Sequence, residues 1–206
     1  RVRRNCRVAP RLLRAISGQL GRPLNHSGDR MPESTLGQLD KVTVAEGREL
    51  PALATALKGL LEQHPADEIV VLSPYGPHSS MVGRLLAREP ETKEERWLHE
   101  NLSGEAGIKS HSIFKFKGLD AAAVVLTDLS PKSAAWADEH GLSWNDLLYV
   151  GMTRAQYRCT LLRAEDTPWR GEREPQIGPV RARQGIRVLG APASGTAAAM
   201  ARMVGR

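Results

Sequence analysis

The run Glu68-Ile-Val-Val-Leu-Ser73 decides the fold class, because it is an unbroken series of β-branched and aliphatic residues between polar ends. Such a run is typical of a strand that is buried on both faces of a parallel sheet. Pro74, Gly76 and Pro77 end the strand, and a helix is predicted over Met81–Ala87. The stretch therefore predicts one strand–turn–helix step of an α/β fold.

The same alternation of strands and helices extends outward in both directions. Apolar spacing predicts helices over 9–20, 50–64, 131–140 and 143–155, and strands over 41–45, 110–114, 122–127 and 158–163. Residues 24–39 are polar and predicted to be irregular, and residues 89–107 are charged and show no clear pattern. Strands that alternate with helices predict a parallel sheet with helices on both faces.

Composition and charge divide the chain into a folded part and a tail. The 206 residues carry a net charge of +6, but the seven Arg and two Glu of residues 167–206 account for +5 of it. We therefore predict a folded domain over 1–166 and a basic, flexible, disordered tail over 167–206. Because the basic excess lies in the tail, charge says little about a nucleic-acid partner for the folded domain.

Two further features limit the class of protein. No apolar run approaches the roughly 20 residues that a membrane helix needs, so no membrane partner is expected. Cys6 and Cys159 are far apart and belong to no CxxC pair, so neither a metal site nor a disulfide is indicated. We expect a reducing, cytoplasmic setting.

A first candidate site lies in the segment Ser112-Ile-Phe-Lys-Phe-Lys-Gly-Leu-Asp120, between two predicted strands. A strand here delivers a hydroxyl, two lysines and a glycine into a turn, and an acid follows. The backbone can approach a phosphate or sugar closely at Gly118, and Asp120 can accept hydrogen bonds from ribose hydroxyls. A strand, a turn and a helix cap with no ligand explain the same residues equally well.

A second candidate site is the segment Asn145-Asp-Leu-Leu-Tyr-Val-Gly-Met-Thr-Arg-Ala-Gln156. Leu147, Leu148 and Met152 have helical spacing, and Arg154 lies at the polar end. An Arg that projects from the end of a packed helix is well placed to stabilise a γ-phosphate. Taken alone, the segment is explained more simply as a core helix with a surface Arg.

Together the two segments resemble motifs V and VI of the UvrD-like superfamily 1 DNA helicases. The matching residues are Lys117-Gly-Leu-Asp120, an apolar strand, and Leu147-Leu-Tyr-Val-Gly-Met-Thr-Arg-Ala155 with a strand after it. Arg4-Asn-Cys-Arg7 also looks like motif IV of the family and falls in the correct order. The resemblance is spread over residues 4–163, with three specific stretches.

The resemblance implies a RecA-like parallel sheet and a shared ATP site. In this family ATP binds in a cleft between two RecA-like domains, and the first domain supplies the Walker A and Walker B residues that hold phosphate and Mg²⁺. The second domain supplies the arginines of motifs IV and VI, which reach the γ-phosphate. At the matching positions of this chain those arginines are Arg7 and Arg154.

The resemblance also implies binding roles for the motif V segment. Gly118, Asp120 and Lys117 would lie near the nucleotide. Ser112 and Lys115 would face single-stranded DNA.

Several residues depart from the family pattern. Cys6 replaces an aromatic residue that stacks on adenine, Phe114 replaces a common histidine that contacts DNA, and Asp120 is shorter than the usual Glu. Arg7 and Ser112 are 105 positions apart, which is too close for the large inserted subdomain of the long family members. The chain is therefore more similar to the compact helicases that follow a nuclease-related domain.

The sequence contains no Gly-x-x-x-x-Gly-Lys-Ser/Thr segment and no apolar strand that ends in paired acids. A lone arginine finger cannot bind ATP usefully without a phosphate cradle, so we predict that the isolated chain has no ATPase activity. Its expected partners are an N-terminal Walker-containing RecA-like domain and single-stranded DNA. The alternative is a stand-alone, non-catalytic module that binds DNA or a protein.

Overall fold

The computed structural model describes residues 8–22, 37–103 and 107–167. Its helices are α1 Pro10–Leu20, α2 Glu49–Leu61, α3 Met81–Leu86, α4 Lys93–Leu102, α5 Pro131–Glu139 and α6 Trp144–Met152. Its strands are β1 Gln38–Val44, β2 Ile69–Ser73, β3 Lys109–Ser112, β4 Ala121–Leu129 and β5 Ala155–Ala164. A short 3-10 turn at Ala66–Glu68 precedes β2.

The five strands form one sheet in the order β1-β5-β4-β2-β3, and every neighbouring pair is parallel. Parallel strands expose no face to water when helices cover both sides. The predicted fold class is confirmed: the described residues form an α/β fold with a parallel sheet between two helix layers, which is the architecture of RecA-like domains.

The side chains of the central strands alternate between two apolar cores, because successive residues of a strand point to opposite faces. On one face, Val70, Leu72, Val124 and Leu126 pack with buried residues of α1, α5 and α6. On the other face, Ile69, Val71, Ala123 and Val125 pack with buried residues of α2, α3 and α4. This alternation explains why β2 is buried along its whole length.

Two elements differ from the prediction. Helix α4 lies within the charged stretch 89–107, where no element was predicted; it packs through Leu98 and Leu102. Its N-cap is Thr92, whose side chain accepts a hydrogen bond from the Glu95 N–H, and Thr-x-x-Glu is a recognised start signal. Strand β1 begins at Gln38, inside the range predicted to be irregular, because it pairs with β5.

The predicted boundary at residue 166 and the predicted tail remain predictions. The described residues end at Thr167, whose hydroxyl donates to the Leu129 carbonyl at 2.7 Å. Residues 168–206 lie outside the described part of the chain. Within the described ranges, none of the helices has the length and apolar character that crossing a bilayer requires.

The connection from β3 to β4 contains no helix and runs over the core that α1, α5 and α6 cover. It covers residues 113–120, and Ile113 and Phe116 bury their side chains in that core. Phe114 and Leu119 point the other way and are 47% and 56% exposed. Because β3 and β4 are parallel, this connection joins the carboxyl edge of the sheet to its amino edge.

The carboxyl ends of β2 and β4 mark the point where the chain connections diverge. From β2 the chain continues to β3 on one side, and from β4 it continues to β5 on the other. Asp128 lies here with a left-handed backbone, φ 57°. Its carboxylate accepts the Ser73 hydroxyl at 2.7 Å and the Met81 N–H at 3.1 Å. These bonds join β4 to the end of β2 and to the start of α3.

Candidate functional site at the start of strands β4 and β5

Helix α6 presents Arg154 at the amino edge of the sheet. The Ser143 side chain caps the helix by accepting the Asp146 N–H, and Leu147, Leu148 and Met152 bury its inner face. The predicted helix extended to residue 155, but α6 ends at Met152, and Thr153 and Arg154 form a turn that leads directly into β5. The helix stops earlier than predicted because β5 begins pairing at Ala155, opposite Ala121.

Two backbone carbonyls hold the Arg154 side chain. Its Nε donates to the Val150 carbonyl at 3.0 Å, and its Nη1 donates to the Leu119 carbonyl at 3.1 Å. The first bond ties the guanidinium to its own helix, and the second ties it to the end of the 113–120 connection. The side chain is partly buried rather than extended into solvent.

The end of the 113–120 connection lies against the turn that carries Arg154. Gly118 has a φ of 92°, a conformation that favours glycine. The Ala121 N–H donates to the Arg154 carbonyl at 3.0 Å, and Gln156 Nε2 donates to Asp120 Oδ2 at 3.0 Å. Three residues that the sequence analysis singled out, Arg154, Gly118 and Asp120, therefore lie in one region.

The other motif V residues are distributed along the same connection. Lys117 is exposed and directly precedes Gly118. Ser112 ends β3 at the carboxyl edge, and its hydroxyl accepts the Lys115 N–H at 3.2 Å. Ser112 and Lys115 therefore lie toward the opposite end of the connection from Asp120, and the Lys115 side chain is exposed.

Arg7 and Cys6 lie outside the described residues, as does the whole motif IV segment. Among the described residues that follow this segment, Ala9 donates its N–H to the Gln156 carbonyl at 2.7 Å. The bond places Ala9 beside the start of β5, at Gln156, which follows Arg154 by two positions. The prediction for Arg7 stays a prediction.

His111 lies on β3, the strand directly before the connection. Its ring stacks on Phe116, with the ring centroids 5.8 Å apart. Burial lowers the pKa of His111, and the charges of Lys115 and Lys109 lower it further. The neutral imidazole is therefore favoured beside a segment with two nearby lysines.

Gln156 is the second residue that the sequence analysis did not single out. Its partner Asp120 is 36 positions away, so no local pattern indicates the contact. A signal was nonetheless present, since Gln156 directly follows the predicted helix 143–155 and lies two positions after Arg154.

Other candidates from the sequence have structural surroundings. Trp97 is half-buried against the core that α2, α3 and α4 cover, and the Lys58 Nζ lies 5.0 Å from its ring centroid. Cys159 is buried, and burial raises the pKa of its thiol. Among the described residues, no three His, Cys, Asp or Glu side chains are grouped as a metal site requires.

An open groove of about 510 Å³ lies elsewhere, along the edge strand β1 and helix α2. Val42, Ala45, Pro51 and Ala56 contribute apolar surface to it, among other lining residues. Its lining includes neither Arg154 nor any residue of the 113–120 connection. The groove is therefore separate from the candidate site.

Comparisons with known proteins give little beyond the fold. No family model matches the chain, and no curated protein matches it. Among solved structures, the chain is similar to the C-terminal domain of a possible DNA helicase from Lactobacillus plantarum WCFS1. The TM-score is 0.49 and the sequence identity 15%, over 77% of this chain and 88% of that one.

Proposed function

We propose that the chain provides the second motor domain of an ATP-dependent superfamily 1 DNA helicase. In this proposal an N-terminal Walker-containing RecA-like domain holds ATP and Mg²⁺, and this chain closes over the nucleotide. The observation that carries the proposal is the hydrogen bond from Arg154 to the carbonyl of Leu119, which lies between Gly118 and Asp120 and 35 positions before Arg154. These are the residues on which the resemblance to motifs V and VI depends.

Arg154 acts as the arginine finger of the shared site. A guanidinium is planar and carries five N–H donors in a rigid fork, which suits the oxygens of a phosphoryl group. The Val150 and Leu119 carbonyls fix the plane of that fork. In phosphoryl transfer such a group stabilises the negative charge of the transition state. Arg7 is proposed to face the same phosphate.

The motif V residues contact the rest of the nucleotide and the DNA. Gly118 has no Cβ, and open space surrounds the position a Cβ would take, so a sugar or phosphate can approach the backbone. Asp120 shares one carboxylate oxygen with Gln156, and a carboxylate has capacity to accept from a ribose hydroxyl as well. Lys117 adds positive charge beside the nucleotide, and Ser112 and Lys115 face single-stranded DNA.

The experiment uses a two-domain protein in which a Walker-containing half is joined to this chain. Arg154→Ala and Arg154→Lys are expected to lower DNA-stimulated ATP hydrolysis by about 10³- to 10⁵-fold, and Arg7→Ala should resemble them. Lys fails because a point charge lacks the planar fork. The melting temperature should change little, since the bonds that Arg154 makes are partly solvated.

A matched control is Arg96→Ala, which removes an exposed Arg from α4 on the opposite side of the sheet. It should leave hydrolysis unchanged. The isolated chain should hydrolyse ATP only at background. Normal hydrolysis by the Arg154 variants, or their general unfolding, would refute the assignment and favour a non-catalytic module that binds DNA or a protein.

A further inference from the structure

The Leu119 carbonyl that holds Arg154 belongs to a segment with little packing of its own. Leu119 is 56% exposed, and Gly118 before it has no side chain and a left-handed backbone. The Leu119 N–H donates to the Phe116 carbonyl at 3.1 Å, and this bond anchors the residues that precede Leu119. Apolar burial therefore does not fix the position of the Leu119 carbonyl beneath the guanidinium.

Hydrogen bonds on the far side of Leu119 supply the missing constraint. The Ala121 N–H donates to the Arg154 carbonyl, and the Gln156 amide donates to the Asp120 carboxylate. The first of these is a sheet-type bond between backbones. The second joins two side chains that flank the Leu119–Arg154 contact, one directly after Leu119 and one two residues after Arg154. In the second bond the donor is the neutral Gln156 amide and the acceptor is a carboxylate. A hydrogen bond to a carboxylate is stronger than one between two neutral groups.

We propose that Gln156 is a positioning residue that, through Asp120, holds the Leu119 carbonyl against the Arg154 guanidinium. The proposal rests on the function given above, because it explains how Arg154 is oriented before a nucleotide arrives. Gln156 itself touches neither ATP nor the reacting phosphate. Its effect reaches Arg154 through the backbone between Asp120 and Leu119.

The pairing depends on the summed length of the two side chains. Asp120 is one methylene shorter than the Glu usual in the resembling family, and the longer amide of Gln156 spans the remaining distance to within 3.0 Å. A shorter amide at position 156 should therefore break the contact. A longer acid at position 120 should restore it without any change in net charge.

The experiment measures how well the Arg154 Nη1–H proton that Leu119 accepts is protected in the full 206-residue chain. Hydrogen exchange of arginine Nη–H groups is followed by ¹⁵N NMR, and the Nη signals that disappear in Arg154→Lys identify Arg154. Gln156→Asn is expected to speed the exchange of this proton by roughly two- to tenfold, which is the equilibrium effect of one side-chain hydrogen bond. The double variant Asp120→Glu/Gln156→Asn should return the rate to within about twofold of the parent chain.

Controls separate positioning from general loosening of the fold. The exchange of backbone amides in β4 and β5 and the melting temperature should be the same in all variants. Unchanged Arg154 exchange in Gln156→Asn, or exchange that stays fast in the double variant, would overturn the proposal. Because no nucleotide is present, this outcome is independent of the ATPase test: an intact contact with normal hydrolysis by Arg154→Ala would refute only the proposed function.

Discussion

Asp128 allows a stability prediction whose parts can be estimated separately. Its side chain is only 7% exposed, and it accepts the Ser73 hydroxyl and the Met81 N–H. Asp128→Ala removes the carboxylate that these two donors share, together with a longer bond from the Thr127 hydroxyl at 3.3 Å, near the carboxyl ends of β2 and β4. A hydrogen bond to a charged group contributes about 1.5–3 kcal/mol, so the expected loss in the free energy of unfolding from the Ser73 and Met81 bonds is ~3–6 kcal/mol.

The left-handed backbone of Asp128 adds a second, smaller contribution. At φ 57° a Cβ lies close to the following carbonyl oxygen, which costs about 1–2 kcal/mol for residues other than Gly, Asn and Asp. Asp128→Gly should therefore be about 1 kcal/mol less harmful than Asp128→Ala. Asp128→Asn keeps an acceptor and tolerates this backbone, so it should cost only about 1–2 kcal/mol.

Urea unfolding provides the assay, with the free energy read from the midpoint at constant slope. The control is Asp138→Ala, which removes an exposed carboxylate from α5 and should change stability by less than about 0.5 kcal/mol. If Asp128→Ala lost less than about 1 kcal/mol, or if Asn were as harmful as Ala, the assignment of these bonds as the main contribution would be wrong.

Two further predictions concern α6 and His111. A Cβ on Gly151 would lie 2.8 Å from a methyl of Leu126 in the core, so Gly151→Ala should lower the free energy of unfolding by about 1–3 kcal/mol. The control is Gly59→Ala in α2, which has open space around the added methyl and should raise the free energy of unfolding by up to about 1 kcal/mol. Equal effects of the two substitutions in urea unfolding would contradict the packing of α6. His111 has a lowered pKa in the fold, so the unfolded chain takes up its proton first and stability falls as the pH drops below the ordinary value of about 6.5. His111→Gln should flatten that decline between about pH 7 and pH 5 in urea titrations, and an unchanged slope would show that other groups cause it.

The layered fold was predictable because its central strands, β2 and β4, consist mostly of consecutive apolar residues. Residues 69–72 and 122–127 alternate only between two apolar faces, and a strand buried on both sides needs no polar face. Helix α4 was missed for the opposite reason. It is mostly charged, it packs through few apolar residues, and its buried Glu95 is held by Arg88 and by the Glu91 N–H. Periodicity of apolar residues carries little information about such a helix.

The candidate site was predictable only in part, because tertiary contacts determine its geometry. The resemblance indicated Arg154, Gly118 and Asp120, and the structure brings these residues together. The carbonyl that Arg154 contacts belongs to Leu119, 35 positions earlier, and the partner of Asp120 is 36 positions later. Neither contact follows from local sequence, since both depend on how the start of β4 lies beside the start of β5.

The position of β1 in the sheet has a consequence for the order of events during synthesis. Residues 38–44 pair with residues 158–164, which are made about 120 peptide bonds later. Until those residues have left the ribosome, β1 has no strand to pair with, although β2, β3 and β4 can already associate. Closing so long a segment costs chain entropy before any contact compensates for it. The nascent chain therefore carries an unpaired β1 while about 120 further residues are made, and this interval is when a chaperone that binds extended segments would act on it.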